Sequence, residues 1–173
     1  RRVKKSMRDK SSKIVSENKL SFLTRKLKKQ GKKIVTTNGA FDMLHVGHIL
    51  LLEKSKSLGD ILIVGINSDS SIKQYKSEKR PIIPEAERAR LVAALTCVDY
   101  VTIFNEPDPV NFLELVKPAI HTKGGDYDSE KLIETVTVRR NGGEVVIISG
   151  RIQWTTGIIN RIIELYSSKN SQK

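Results

Sequence analysis

Five short, β-branched apolar runs, at residues 33–37, 60–66, 100–104, 119–122 and 144–148, constrain this chain more than any other feature. Each is nearly continuous in its apolarity rather than alternating, as strands covered on both faces of a parallel sheet are. Between them lie stretches of helical period. One runs from His48 to Leu58-Gly59. A second is opened by Pro84-Glu85, with Ala86, Ala89, Val92, Ala93 and Leu95 inward and Glu85, Arg88 and Arg90 outward. A third runs from Pro107 to Val116 and is begun by Asp108-Pro109 and stopped by Pro118, and a fourth covers residues 129–140. A last helix follows Thr155-Thr156 and turns Ile158, Ile159, Ile162, Ile163 and Tyr166 inward. Residues 70–84 are polar and read as a loop or short helix. Strand and helix in regular alternation imply an α/β fold, a doubly wound parallel five-stranded sheet with helices on both faces.

A chain of 173 residues suits one domain with a substantial core. Nothing in it approaches the roughly 20 apolar residues a membrane-spanning helix needs. The single cysteine, Cys97, rules out an internal disulfide, reads as a small core residue, and fits a reducing cytoplasm. Net charge is +12, and 14 of the Lys and Arg residues fall within residues 1–33 against only Asp9 and Glu17, so the whole excess sits there. We expect residues 1–18 to be a basic, flexible leader, residues 19–168 to form the domain, and residues 169–173 to be a tail. Residues 19–30 are expected as an amphipathic helix laid on the domain through Leu20, Leu23 and Leu27, with Ser21 as its cap. A basic arm for nucleic acid is the functional alternative, and the chain carries no base-reading motif to support it.

Where the first strand ends, Asn38-Gly39-Ala40-Phe41-Asp42 leads into His45-Val46-Gly47-His48 at a helix start. A helix N-terminus at the carboxyl edge of a sheet offers unpaired amides and a positive dipole end to an anion. Two imidazoles spaced His-x-x-His can each direct an N–H at the same phosphoryl group, with Gly47 keeping a side chain out of the way; simple capping of the helix is the alternative. Other motifs fall on the same edge: Asn67-Ser68-Asp69 after the second strand, Lys123-Gly124-Gly125-Asp126-Tyr127 after the fourth, and Thr155-Thr156 after the fifth. Lys76, Lys79, Arg80 and Arg88 are the candidate anion-binding cations. Asp42 and Asp69 either position a substrate or magnesium or merely form turns, Asp126 is equally ambiguous, and the two threonines either bind an anion or cap the helix.

The combination Gly39, Phe41, Asp42, His45, Gly47 and His48 resembles the GxFDxxHxGH signature of the nucleotidyltransferase superfamily of cytidylyltransferases and adenylyltransferases, Rossmann-like in fold. Together with Gly65-Ile66-Asn67-Ser68-Asp69, Lys79-Arg80-Pro81, Val98-Asp99-Tyr100-Val101, the lysine-glycine-glycine turn and the threonine pair, residues 32–166 resemble the heptose 1-phosphate adenylyltransferase domain of ADP-heptose synthesis. Ala40 departs mildly from that pattern, and Trp154 and Gly150-Arg151-Ile152-Gln153 depart more. The resemblance implies transfer of AMP from ATP to a sugar 1-phosphate, with Mg2+ accompanying ATP and no protein metal ligand assigned. It implies His45, His48 and Lys123 as catalytic, and Asn38, Gly39, Ala40, Phe41, Gly47, Asn67, Arg88, Gly124, Asp126, Thr155 and Thr156 as nucleotide-binding. Asp42, Asp69, Lys76, Lys79 and Arg80 fall to the acceptor, and a homodimer is expected. A cytidylyltransferase acting on another ester, such as glycerol 3-phosphate, is the alternative within the superfamily.

Overall fold

The computed structural model describes residues 10–149 and 155–167. Five strands, β1 (Ile34–Gly39), β2 (Ile61–Asn67), β3 (Tyr100–Phe104), β4 (Ile120–Gly124) and β5 (Glu144–Ile148), form one sheet in the order β3-β2-β1-β4-β5, every neighbouring pair parallel. The chain order reverses between β1 and β4. That is the switch point at whose carboxyl edge such sheets open a crevice.

Among the described residues seven α-helices accompany the strands: α1 (Glu17–Lys29), α2 (Val46–Ser57), α3 (Asp69–Tyr75), α4 (Glu85–Ala94), α5 (Val110–Val116), α6 (Ile133–Arg140) and α7 (Thr155–Ser167). Because successive strand residues face opposite sides, each strand feeds two cores. Val35, Leu62, Val64 and Ile66 pack with Leu52 of α2 and Ala89, Val92 and Ala93 of α4. On the other face, Ile34, Ile63 and Phe104 pack with Leu20 and Leu27 of α1, Phe112, Leu113 and Val116 of α5, and Val138 of α6. Between β1, β4 and α2 runs a buried hydroxyl chain. Thr37 Oγ1 donates to the Thr122 carbonyl (3.0 Å), Thr122 Oγ1 to that of Thr36 (3.1 Å), and Ser55 Oγ shares a 2.7 Å bond with Thr122 Oγ1.

Several expectations are corrected. β1 runs two residues beyond Thr37, because Asn38 and Gly39 continue the ladder opposite Gly65 and Ile66. Helix α1 begins at Glu17 with Ser16 as N-cap, so Ser21 lies inside it. Residues 129–140 are not one helix: a 3-10 turn, Ser129–Lys131, is cut from α6 by Leu132, whose extended backbone (φ −79°, ψ 132°) breaks the helix. Helix α5 starts at Val110, whose amide the Asp108 carboxylate accepts. Ala86 is exposed and Arg88 fully buried, the reverse of their expected facing, and Cys97 is only half-buried.

Two larger differences concern the ends of the described chain. From residue 10 onward the basic leader is engaged with the body. Ile14 bridges Val101 on the outer edge of β3, Val15 N–H donates to the Val101 carbonyl (2.9 Å), and Lys13 Nζ donates to the carbonyls of Leu95 (2.9 Å) and Val98 (2.6 Å). An edge strand has unpaired backbone groups and a helix C-terminus has unpaired carbonyls, and this segment satisfies both. Helix α7, by contrast, buries no residue, and Ile162, Ile163 and Tyr166 are 45%, 55% and 69% exposed rather than inward. Residues 150–154, Trp154 among them, lie outside the described residues.

Gly65 is where β2 passes beneath the stacked rings of Phe104 and Phe112, whose centroids are 5.9 Å apart. A Cβ there would sit 3.0 Å from Phe112 Cε1 and 3.2 Å from Phe104 Cε1. Gly65→Ala is therefore expected to destabilise the fold by about 1–3 kcal/mol through overpacking, read as a lowered midpoint in urea denaturation with the m-value unchanged.

Candidate active site

The four rim motifs meet in one cavity of about 410 Å³, a size that suits a small-molecule ligand. Its lining includes Asn38, Gly39, Ala40, Phe41, Asp42, His45, Gly47 and His48 from the β1–α2 connection. It also includes Asn67, Lys76, Lys123, Gly124, Thr155 and Thr156 from four other parts of the chain.

The two histidines build the start of α2. His45 is the N-cap, its Nδ1 accepting from the Gly47 amide (3.2 Å), while His48 Nδ1 accepts from the His45 amide (3.4 Å). This is the reciprocal arrangement of a capping box, made by imidazoles instead of a hydroxyl and a carboxylate. A ring nitrogen that accepts an amide N–H carries no proton, so a neutral ring must hold its proton on Nε2. Capping and anion donation are thus one arrangement: Nδ1 serves the helix and the Nε2–H edge remains for the cavity. The rings are stacked with centroids 3.8 Å apart, and Phe41 lies 5.2 Å from His48. Burial, then the neighbouring His45 and Lys76 charges, lower the His48 pKa to about 4, and burial also lowers that of His45. Both rings are neutral donors at pH 7.

Asp42 is 1% exposed and fully occupied by protein donors. Its Oδ2 accepts from Arg80 Nε (2.8 Å) and Ile82 N–H (2.9 Å), its Oδ1 from Ile83 N–H (3.0 Å), and its carbonyl accepts from Thr155 Oγ1 (2.9 Å). Burial alone would raise this carboxyl; the two amides and Arg80 outweigh it and hold it below the ordinary range. On either side of it Phe41 and Met43 adopt left-handed backbone (φ 49° and 52°), a strained geometry for such residues that these bonds sustain.

Arg88 is the second tie. Its guanidinium, fully buried, donates to the carbonyls of Ile83 (2.9 Å), Ala40 and Asn67 (2.9 Å) and to Asp69 Oδ1 (2.7 Å). Asp42, Asp69, Arg80 and Arg88 thus bond to one another and to the backbone, with Asp42 also lining the cavity. Lys79 is exposed, as is Asp126, and neither lines the cavity. Lys76 does line it, its ammonium held below the usual lysine value by partial burial and by Arg80. Lys123 sits at the switch point, ion-paired with Glu134 and 3.5 Å from Asn38 Oδ1.

Sequence reasoning missed Glu134, Tyr75, Leu51, Ile133 and the Pro107-Asp108-Pro109 turn as lining residues. The turn could have been found, since it follows the carboxyl end of β3. Among the described residues no cluster of three or more His, Cys, Asp or Glu side chains forms a metal cage.

A parallel sheet whose switch-point crevice opens on a helix N-terminus armed with two imidazole N–H donors defines a nucleotidyl-transfer enzyme. The cytidylyltransferase-like family model matches residues 36–168, and the chain belongs to that family. It is 46% identical over 164 residues to the bifunctional protein HldE of Geobacter metallireducens and 46% over 162 residues to that of Pelobacter propionicus, covering 93% and 92% of this chain. It spans about a third of the length of these curated relatives (33% in each). Among solved structures, the lipopolysaccharide core biosynthesis protein of Thermoplasma volcanium is 33% identical with a TM-score of 0.60, over 71% of this chain and 99% of that one. Pantoate-beta-alanine ligase of Francisella tularensis shares the fold alone, at 18% identity and a TM-score of 0.57, over 81% of this chain and 67% of that one.

The lowered His48 pKa has a signed consequence. An unfolded histidine takes up a proton below about pH 6.5, whereas folded His48 resists protonation until about pH 4. Stability present above 6.5 is therefore lost as pH falls toward 4, and buried His121, lowered to about 3, adds the same sign. Proton NMR should give a His48 midpoint near 4, and the denaturation midpoint of His48→Gln should fall less steeply over this range than that of the wild type.

Proposed function

We propose that the chain transfers the adenylyl group of ATP to a sugar 1-phosphate, D-glycero-D-manno-heptose 1-phosphate, yielding ADP-heptose and pyrophosphate in the cytoplasm. A phosphate oxygen of the acceptor attacks the α-phosphorus, the bond from that phosphorus to the bridging oxygen breaks, and pyrophosphate leaves with the bonding pair. The acceptor oxygen is already anionic at neutral pH, so no general base is needed. The protein's work is alignment and charge stabilisation. The observation that carries this reading is the pair of neutral Nε2–H donors at the α2 N-terminus, which can hold the α-phosphate as charge builds on it. Lys123 and Lys76 both line the cavity and supply cationic charge to it. Asn38, Gly39, Ala40, Phe41, Gly47, Asn67, Gly124, Thr155 and Thr156 shape the nucleotide's seat, while Asp42, Arg80, Arg88 and Asp69 act by holding the loops. Lys79 and Asp126 are exposed on segments next to the lining residues Lys76 and Gly124 and are assigned to the acceptor and the nucleotide from there. Magnesium, entering with the triphosphate, would neutralise the leaving pyrophosphate; Asp108, which lines the cavity, could bind it. The sugar acceptor is supported by the sequence resemblance and by the similarity to HldE proteins and to a lipopolysaccharide core biosynthesis protein.

Pyrophosphate release measured with ATP and CTP across phosphorylated sugars and glycerol 3-phosphate tests the reading. ATP with a sugar 1-phosphate is expected to be the preferred pair, and preference for CTP with glycerol 3-phosphate would overturn it. His48→Ala should remain folded and lose on the order of 100-fold in turnover, as loss of a single preorganised donor does elsewhere. The apolar residues Ile162, Ile163, Leu165 and Tyr166, exposed together on α7, support a homodimer. Sedimentation should give a dimer mass for the wild type and a monomer for Ile163→Glu.

A further inference from the structure

Three carboxylates among the described residues line the cavity, and two of them accept backbone amides. Asp42 is filled by Arg80, Ile82 and Ile83, and Asp108 accepts the Val110 amide. The third, Glu134, projects from the first turn of α6 and is 3% exposed. Its Oε1 takes the Lys123 ammonium, and its Oε2 has no protein donor among the described residues. A carboxylate accepts hydrogen bonds and donates none. It also repels phosphate, which the histidine pair, the α2 amides and Lys76 attract elsewhere in the same cavity. The ligand group that fits beside Glu134 is therefore an uncharged donor. Sugar hydroxyls are such donors, and they occur both on an acceptor sugar and on the ribose of the nucleotide.

Resting on the nucleotidyl-transfer reading above, we propose that Glu134 forms a hydroxyl-reading site, Oε2 accepting a hydrogen bond from a substrate sugar while Lys123 fixes the carboxylate in place. The paired lysine keeps the buried charge compensated, and the bond to a charged acceptor gives the site its discrimination. A ligand lacking the hydroxyl leaves that oxygen dry and unpaired, the kind of loss that makes polar sites selective.

Calorimetric binding tests this without turnover. Two ligand pairs are compared in the wild type, Glu134→Ala and Glu134→Gln: ATP against 2′,3′-dideoxy-ATP, and glucose 1-phosphate against cyclohexyl phosphate, which keeps the ring and the phosphate and has no hydroxyl. The wild type should favour the hydroxyl-bearing member of one pair by about tenfold or more, the scale of one charge-assisted hydrogen bond. Glu134→Ala should bring that ratio close to one, and Glu134→Gln, which keeps the shape and a neutral acceptor, should fall between. A change confined to the nucleotides assigns the site to ribose, and one confined to the sugar phosphates assigns it to the acceptor. Ratios unchanged in both pairs, or both members of a pair weakened equally because Lys123 has lost its partner, would overturn the proposal. Failure of the adenylyl-transfer reading is separate: it would appear as a wild type that releases no pyrophosphate with any acceptor.

Discussion

Two buried charges, Asp42 and Arg88, govern the carboxyl edge of this sheet. A charge taken out of water is tolerable only when its hydrogen-bonding capacity is met, and removing its partners costs several kcal/mol. Asp42 meets its needs with Arg80 and the amides of Ile82 and Ile83, and Arg88 with the carbonyls of Ala40, Asn67 and Ile83 and with Asp69. Between them they tie the loop after β1 to the loop after β2 and to residues 80–83. The left-handed backbone at Phe41 and Met43 is held within that frame. Cavity shape is thus a consequence of charge compensation in the protein, settled before any ligand arrives.

On this frame the histidines need do little. Spending Nδ1 on the first amides of α2 selects the tautomer, and burial keeps the rings neutral. An imidazolium would bind phosphate more strongly in the ground state, yet it would surrender its Nδ1 acceptor and with it the helix cap. Neutral donors aimed at the place where charge grows favour the transition state over the bound substrate.

Strand order of appearance, the switch-point site and the histidine pair were all legible in the sequence, because apolar runs and the glycine-histidine signature are local. What was not legible depends on distant neighbours. Arg88 reads as a surface cation on the polar side of α4, and only the meeting of two loop carbonyls with Asp69 makes it a core residue. Glu134 looks like any helix glutamate until β4 sets Lys123 beside it. The apolar stripe of α7 promised burial, but periodicity reports that a face is apolar and not what covers it.

The strap formed by Lys13, Ile14 and Val15 bears on how the positive arm can be studied. Since Lys13 closes carbonyls at the end of α4 and Ile14 lies along the border of β3, at least one of the arm's charges, that of Lys13, is part of the architecture. Excising residues 1–33 would uncover a strand border open to recruitment by another chain and strip away α1 as well. Neutralising individual surface lysines while keeping the strap is the way to separate charge from scaffold.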